Sequence, residues 1–314
     1  MAKEVKKRPP KAAAGGRVRR LTKKQHRSKA KKQARQLKPL PGSFRLTWSV
    51  LLTIRRYWRM LGGIVTVYLL LNILFASGIG NISANFDVIK EDLKTSGSGG
   101  IWRAAGGFTS LVGTSGTSGS ATGSTLQSAL FVLASLVIIW ALRHLMAGQI
   151  ISVKQAYYKS MAPLIPFLLI LVVIIIQLLP VTIGAGILAA VATSVFTDTT
   201  LATIVTSVLF VLLAGWSLYM VSASLFALYI VTLPDMEPRQ ALRSARELVS
   251  FRRLAVIRKI FFMPLFILAV MAVIIVPLIL YASAIVPAVF YALSMLSILF
   301  IHTYLYSLYR SLLE

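Results

Sequence analysis

Residues 164–180 read LIPFLLILVVIIIQLLP, and this uncharged stretch decides the fold. An α-helix of this length, rising about 1.5 Å per residue, is roughly 26 Å long, close to the hydrocarbon thickness of a bilayer. The composition of the whole chain agrees, since 57% of the 314 residues are hydrophobic and 14% are charged. A soluble domain carries about 25% charged residues. The sequence therefore predicts an all-α, polytopic membrane protein.

Six apolar stretches have the length of a membrane span. They are Leu61–Gly78, Leu126–Met146, a third that begins at Pro163, Leu201–Leu233, Phe261–Tyr281 and Ala288–Tyr309. The third continues past Pro180 to Val195, which is too long for one straight span and too short for two. Pro180, Gly184 and Gly186 predict that it kinks or turns along the outer interface, and the path of residues 180–200 stays open.

The positive charge is concentrated before the first span. Residues 1–40 contain 16 of the 34 Lys and Arg and one acid, Glu4. A segment of this composition cannot bury enough apolar surface to offset its ordering entropy. Residues 1–42 are therefore predicted to be a disordered basic tail, and residues 43–314 a membrane domain.

The remaining basic residues predict the orientation. Lys and Arg flank the start of the first span and lie in the loops 149–162 and 234–260, whereas the alternate loops are almost free of excess positive charge. By the positive-inside rule both termini are cytoplasmic, and we expect a multi-pass protein of a bacterial inner or plasma membrane. The outer segment 95–125, rich in Gly, Ser and Thr, is predicted to be flexible.

A five-residue pattern precedes every second span: an apolar residue or Pro, a basic residue, any residue, a small residue and a large apolar residue. Its three copies are Phe44–Trp48, Val153–Tyr157 and Pro238–Leu242. Internal repeats usually mark a repeated structural unit. The pattern predicts three units in the same membrane orientation, each an interfacial helix followed by a helical hairpin.

The third copy has the clearest amphipathic pattern. Its arginines fall on one helical face, and Ala241, Ala245, Leu248 and their neighbours fall on the other. Such a helix is expected to lie in the membrane interface, with its aliphatic face in the acyl layer. The predicted membrane-interface residues are Arg45, Trp48, Arg55, Arg56, Lys154, Arg239, Arg243, Arg246 and Leu248.

The stretch 233–253, LPDMEPRQALRSARELVSFRR, resembles bacterial integral membrane proteins that include the membrane domain attached to some glycerophosphoryl diester phosphodiesterases. The residues that carry the resemblance are Pro238, Ala241, Leu242 and Leu248. It implies a fold and a membrane location, with a cytoplasmic helix before a span. The soluble phosphodiesterase domain of those proteins has no counterpart in this sequence, so the resemblance implies no activity.

The search for chemistry finds no catalytic constellation. Cysteine is absent, and His26, His144 and His302 have no metal-ligand spacing. No catalytic, cofactor or metal site is therefore predicted. The intramembrane polar candidates that we single out from the predicted spans are Asn72, Gln177 and His302. Intramembrane polar groups are functional candidates, but helix packing explains amides, and a neutral histidine beside Tyr304 and Tyr306 is inexpensive to accommodate.

Three functions fit the sequence. The first is a non-enzymatic integral membrane protein, either a scaffold or a lipid-associated module. The second is a transporter or permease component that uses Asn72, Gln177 and the break at Pro180. The third is a ribosome- or nucleic-acid-docking protein that acts through its tail. The expected partners are the lipid bilayer and, through residues 1–40, anionic headgroups or nucleic-acid phosphates.

Overall fold

The computed structural model describes residues 40–76, 121–195, 199–234 and 236–313. Residues 1–39 of the predicted disordered tail and residues 95–120 of the predicted flexible segment lie outside these ranges. The described residues form nine α-helices and one 3₁₀ turn, Ser283–Ile285. The helices are α1 Ser43–Arg56, α2 Trp58–Ala76, α3 Ala121–Met146, α4 Val153–Lys159, α5 Leu164–Val195, α6 Thr199–Ile230, α7 Pro238–Val249, α8 Arg253–Tyr281 and α9 Val286–Leu313.

Six of these helices (α2, α3, α5, α6, α8 and α9) are long and apolar enough to cross a membrane. The predicted all-α fold with six spans is therefore confirmed. α8 begins at Arg253, eight residues before the predicted start of its span. The basic residues Arg253, Arg258 and Lys259 therefore belong to the first two turns of this helix; Arg258 is exposed and Lys259 is buried.

The order of the helices repeats three times along the described chain. A short helix is followed by two long ones in α1–α2–α3, again in α4–α5–α6, and again in α7–α8–α9. The two long helices of each unit pack against each other as a hairpin. The architecture is thus three units of short helix plus hairpin, as the five-residue pattern predicts.

The three short helices lie at one end of the bundle, here called the short-helix end. Arg143, near the end of α3, contacts Thr232, just after α6. The Tyr304 hydroxyl in α9 donates to the carbonyl of Lys259 near the start of α8, at 3.2 Å. The Tyr157 hydroxyl in α4 donates to the Ile64 carbonyl of α2, at 3.1 Å. These contacts place the ends of α3, α6 and α9 beside the starts of α2 and α8.

Each short helix packs against the hairpin of the preceding unit. α4 lies on α2 and α3, α7 lies on α5 and α6, and α1 lies on α9 of the last unit. Lys259 of α8 donates to the carbonyl of Pro41, just before α1, and the rings of Phe44 and Phe262 meet edge to face at 5.2 Å. The contacts therefore form a closed cycle in which the first short helix joins the last hairpin.

The five-residue pattern supplies the contact surface of this cycle. Its small residue is buried in every copy, as Thr47, Ala156 and Ala241. Its basic residue is exposed in every copy, as Arg45, Lys154 and Arg239. Small side chains let helix backbones approach closely, so the pattern encodes one buried contact and one surface charge per unit.

Gly63 of α2 shows how close the approach of α4 is. A β carbon at this position would lie 2.9 Å from Cγ2 of Val153. Side chains do not approach so closely without a shift of the neighbour, which is why glycine fits here. Residue 63 is therefore a contact point between the first and second units.

α5 differs from the prediction, because it continues without interruption through Pro180, Gly184 and Gly186 to Val195. Proline removes one helical hydrogen bond, but in an apolar environment any non-helical path would leave more backbone groups unpaired. Gly184 does not form a turn. It lies where α5 contacts α6, and a β carbon there would overlap the Leu213 side chain. The turn, one of the two predicted alternatives, is wrong, whereas a kink at Pro180 stays a prediction. The glycine allows close packing of the second hairpin.

Candidate functional site

His302 lies where the second long helices of the three units meet. It is in α9, and only 7% of its surface is exposed. Its Nδ1 is 3.1 Å from the hydroxyl of Tyr229 in α6, and its Nε2 is 3.0 Å from the hydroxyl of Ser135 in α3. One imidazole therefore joins all three units at a single buried point.

The hydrogen bonds around His302 determine where its proton lies. Ser135 donates its hydroxyl hydrogen to the Phe131 carbonyl at 2.7 Å, as buried serines in helices often do. Its oxygen can then only accept, so His302 donates from Nε2. Nδ1 is left as an acceptor for the Tyr229 hydroxyl. The hydrogen bonds of the network are therefore complete with a neutral imidazole.

Tyr229 is enclosed by aromatic side chains. Its ring centroid lies 6.1–6.3 Å from those of His302, Tyr306 and Tyr309. All three neighbours belong to α9, so the end of α6 packs on one aromatic face of the last helix. Tyr229 is itself buried. The Tyr229 side chain is therefore packed between α6 and α9 and away from the surface.

Arg143 holds the end of α6. Its Nη1 donates to the Thr232 carbonyl at 2.5 Å, and its Nη2 donates to the Tyr229 carbonyl at 3.3 Å and to the Thr232 hydroxyl. The last carbonyls of a helix lack helical donors, and the helix dipole favours a cation there. Arg143 is thus a charged cap donated by α3 to α6.

A cavity of about 920 Å³ opens beside Arg143 at the short-helix end. We call it the basin. Its wall comes from the end of α3, from α4 and the start of α5, and from the segment between α6 and α7. The residues of the wall include Trp140, Arg143, His144, Lys159, Pro163, Pro166, Thr232, Pro234, Met236, Glu237 and Pro238.

The basin has a basic wall with an aromatic edge. Arg143, His144 and Lys159 face one acid, Glu237. His144 stacks on Trp140 with a centroid distance of 3.8 Å, and its Nδ1 lies 2.9 Å from the Trp140 carbonyl. Within the described ranges Lys159 has no acidic partner. The basin can therefore accept an anionic group. Lys159 is available to bind it, whereas Arg143 already donates hydrogen bonds to Thr232 and Tyr229.

The predicted membrane-interface residues lie on the three short helices. All the basic ones are exposed, and Trp48 is 65% exposed on α1. Leu248 is half-buried, because the apolar side of α7 (Ala241, Ala245 and Val249) is covered by α5 and α6. That apolar side contacts protein, and the location of these helices in a membrane interface stays a prediction.

Asn72 and Gln177, the other predicted intramembrane polar residues, do not meet. Asn72 lies in the first hairpin and donates to the Tyr68 carbonyl at 2.9 Å. Gln177 lies in the second hairpin, where its main-chain carbonyl accepts a bond from Ser217 at 2.6 Å. Both side-chain amide oxygens are buried without a partner, so no hydrogen bond joins the two amides.

The sequence prediction missed Tyr229, Ser135 and Thr232 as partners of His302 and Arg143. Serine, threonine and tyrosine are common in membrane helices, and nothing in their spacing marks these three. Within the described part of the chain, no three His, Asp and Glu side chains lie close enough together to hold a metal ion. No protein-family model matches the chain, and neither does any curated protein or solved structure.

Proposed function

We propose that this chain is a non-enzymatic, multi-pass membrane protein that holds an anionic lipid headgroup at its short-helix end. The observation that carries the proposal is the basin. Lys159 and Arg143 supply positive charge on one wall, and Trp140 supplies an amphipathic ring of the kind enriched at membrane interfaces. A phosphate group in the basin would gain charge-assisted hydrogen bonds from these donors.

Apolar side chains next to the basin favour a lipid over a soluble anion. Ile165 and Leu169, on α5 beside the basin residue Pro166, are 72% and 52% exposed. Leu233, itself a wall residue, is 36% exposed. A bound headgroup would leave its acyl chains against these surfaces. Exposed apolar patches beside a polar site are typical of membrane or ligand contact.

The proposal includes an orientation. We infer that the short-helix end faces the cytoplasm, in the inner or plasma membrane of a bacterium. The support is the concentration of Lys and Arg in the segments 43–60, 149–162 and 234–260. The exposed basic residues of α1, α4 and α7 then lie at the level of the inner-leaflet headgroups. The resemblance to phosphodiesterase membrane domains is consistent with this orientation and stays a prediction.

The alternatives differ in what supports them. A transport route through Asn72 and Gln177 gains no support from the geometry, since the two amides lie in different hairpins. Docking of a ribosome or nucleic acid rests on residues 1–40, of which residues 1–39 lie outside the described ranges. The lipid-associated function is supported by the basin, whose side chains supply hydrogen-bond donors for an anionic headgroup.

The test compares two lysines of one short helix. The full chain is purified in detergent, and its thermal unfolding is followed while short-chain phosphatidylglycerol or phosphatidylcholine is added. We expect phosphatidylglycerol to stabilise the wild-type chain and Lys154→Glu, because Lys154 is exposed but lies outside the basin. Lys159→Glu should bind the anionic lipid about fivefold or more weakly, since one basic residue contributes about 1 kcal/mol.

Two results would reject the basin as a headgroup site. One is equal loss of the phosphatidylglycerol effect in Lys154→Glu and Lys159→Glu, which would indicate general surface charge. The other is equal stabilisation of all three proteins by both lipids. Residues 1–40 are identical in all three proteins, so any binding by the tail cancels in the comparison.

A further inference from the structure

A second cavity, of about 580 Å³, lies between five long helices of the bundle. Its wall comes from α2, α3, α5, α8 and α9, and it shares no residue with the basin. The wall residues used below are Tyr68, Gln127, Ser128, Phe131, Ile175, Ser294, Met295 and Ser297. The volume is within the range of about 300–1,000 Å³ typical of small-molecule pockets.

The wall of this cavity is uncharged. It contains no Asp, Glu, Lys, Arg or His, and most of it is aliphatic or aromatic. Three serines contribute, and each already donates its hydroxyl hydrogen to a carbonyl of its own helix: Ser128 to Ser124, Ser294 to Phe290 and Ser297 to Leu293. Their oxygens can form further bonds only as acceptors. An ionic ligand would therefore be left without a counter-charge.

Gln127 supplies the polar group that lacks a partner. It is only 4% exposed, and its Oε1 is buried without a hydrogen-bond donor. A buried acceptor in this state is costly, and in a membrane no bulk water can relieve it. A ligand that donates one hydrogen bond here would remove that cost.

Two more unpartnered atoms lie on the same helical faces. Asn72 follows the wall residue Tyr68 by four residues, and Tyr291 precedes the wall residue Met295 by four, so each lies one turn from the cavity. The Asn72 Oδ1 and the Tyr291 hydroxyl are both buried without a partner. Tyr68, Tyr291 and Met295 pack in one cluster. Unsatisfied polar groups thus accumulate around this cavity from α2, α3 and α9.

The cavity reaches the lipid-facing side of the bundle. Its wall residues Ile175 and Phe131 are 50% and 42% exposed. α5, which carries Ile175, packs mainly on α6 and α7 and leaves this side uncovered. A molecule dissolved in the bilayer could therefore enter between α3 and α5 without crossing the bundle.

We infer that this cavity binds a neutral, hydroxyl-bearing lipid. The hydroxyl donates to Oε1 of Gln127, and the hydrocarbon part lies along the aliphatic wall toward Ile175. Neutrality follows from the uncharged wall, the hydroxyl from the unpartnered Oε1 of Gln127, and the hydrocarbon from the lateral opening. The inference goes beyond the headgroup site proposed above and does not depend on it.

The test uses a long-chain alcohol with a photoreactive diazirine in its chain. The full chain in phosphatidylcholine nanodiscs is irradiated with this probe, and mass spectrometry locates the labelled residues. We expect labelling at wall residues such as Ile175. Unlabelled hexadecanol should compete with the probe, whereas hexadecane, which lacks the hydroxyl, should not.

Two glutamines provide a matched comparison. Gln127→Met keeps the length of the side chain and removes the acceptor, and we expect it to weaken hexadecanol competition about fivefold, as the loss of one hydrogen bond implies. Gln177→Met is the control, because the amide oxygen of Gln177 is equally buried and unpartnered but lies outside the cavity. Its competition should equal that of the wild-type chain.

Competition by hexadecane equal to that by hexadecanol would overturn the inference, because the cavity would then be filled by hydrocarbon without recognition. Unchanged competition in Gln127→Met would also overturn it. If Gln127→Met does not fold, Gln127→Leu, which also removes the acceptor, replaces it, and unchanged competition there has the same meaning. The Lys159→Glu protein should retain hexadecanol competition, which separates this result from the headgroup test.

Discussion

The Nδ1 atom of His302 lies 3.1 Å from the Tyr229 hydroxyl, and this contact joins the second and third repeated units inside the bundle. The Ser135 hydroxyl, 3.0 Å from Nε2, extends it to the first unit. A histidine within a membrane helix is a functional candidate by default. Here every hydrogen bond of the imidazole is used between helices, so its role is to hold three units in one arrangement.

Removing one partner of His302 should destabilise the bundle. In Tyr229→Phe the buried Nδ1 loses its donor, and we expect a loss of about 1–3 kcal/mol in the free energy of unfolding. Tyr281→Phe is the control, because Tyr281 is 89% exposed. Unfolding in mixed micelles measures both. Equal stability of the two variants would show that the network contributes nothing.

The buried small residue of the five-residue pattern should resist enlargement. Ala156→Leu adds volume where α4 packs on the first hairpin, and overpacking of this kind costs about 1–3 kcal/mol. Lys154→Leu places the same side chain on the exposed side of the same helix and should have little effect. Thermal unfolding compares them, and an equal or larger loss in the Lys154 variant would contradict the docking surface described here.

Tyr157 should give the protein a stability loss at alkaline pH. Burial raises the pKa of Tyr157 from 10.0 to about 12, and nearby Tyr68 acts in the same direction. Below pH 10 the phenol is neutral whether the chain is folded or unfolded, so its contribution is fully present. As the pH rises from 10 to 12, only the unfolded chain loses the proton, and stability falls.

The measurement for Tyr157 is the melting temperature between pH 9 and 12. The wild-type chain should lose more stability over this interval than Tyr157→Phe, which has no phenol to titrate. Below pH 10 the variant should be slightly less stable, because it lacks the hydrogen bond to the Ile64 carbonyl. Parallel curves for the two proteins would show that Tyr157 does not titrate differently in the folded state.

The predicted orientation can be tested with single cysteines, since the chain contains none of its own. Ser250→Cys follows α7 at the short-helix end, and Ala284→Cys lies in the exposed turn between α8 and α9. A membrane-impermeant maleimide should label the Ala284 variant in intact cells and the Ser250 variant only after lysis. The reverse pattern would invert the topology and move the basin to the outer face.

Much of the fold was predictable from residue pattern alone. In an apolar environment the backbone N–H and C=O groups of an uncharged stretch such as 164–180 can pair only within their own helix. Such stretches therefore predict the long helices directly. The repeated small and basic residues at Ala156 and Lys154, or at Ala241 and Arg239, predicted the threefold order of elements. The same pattern did not show that the small residue contacts the preceding hairpin. Amphipathicity identifies the apolar side of a helix, but it does not identify the element that packs against that side.

The site depended on contacts that the sequence does not record. His302 and Arg143 were visible as unusual residues, whereas Tyr229, Ser135 and Thr232 were ordinary members of apolar runs. The turn predicted at Pro180 failed because the sequence shows the lost hydrogen bond but not the packing of Gly184 against Leu213 that favours a continuous helix. At this point, packing of α5 against α6 had a larger effect than the helix-breaking preferences of proline and glycine.

The sequence by itself therefore determined the helical class, the six long helices and the threefold repeat, because all three follow from local hydrophobicity and spacing. The tertiary structure alone decided the cyclic docking of α1 on α9, the capping of α6 by Arg143, and the two cavities. These features depend on which helix faces pack together. The apolar faces of the long helices have similar compositions, so the sequence does not show which faces are partners. Contacts between residues 218 positions apart, such as Lys259 with Pro41, are selected by the fit of whole helices.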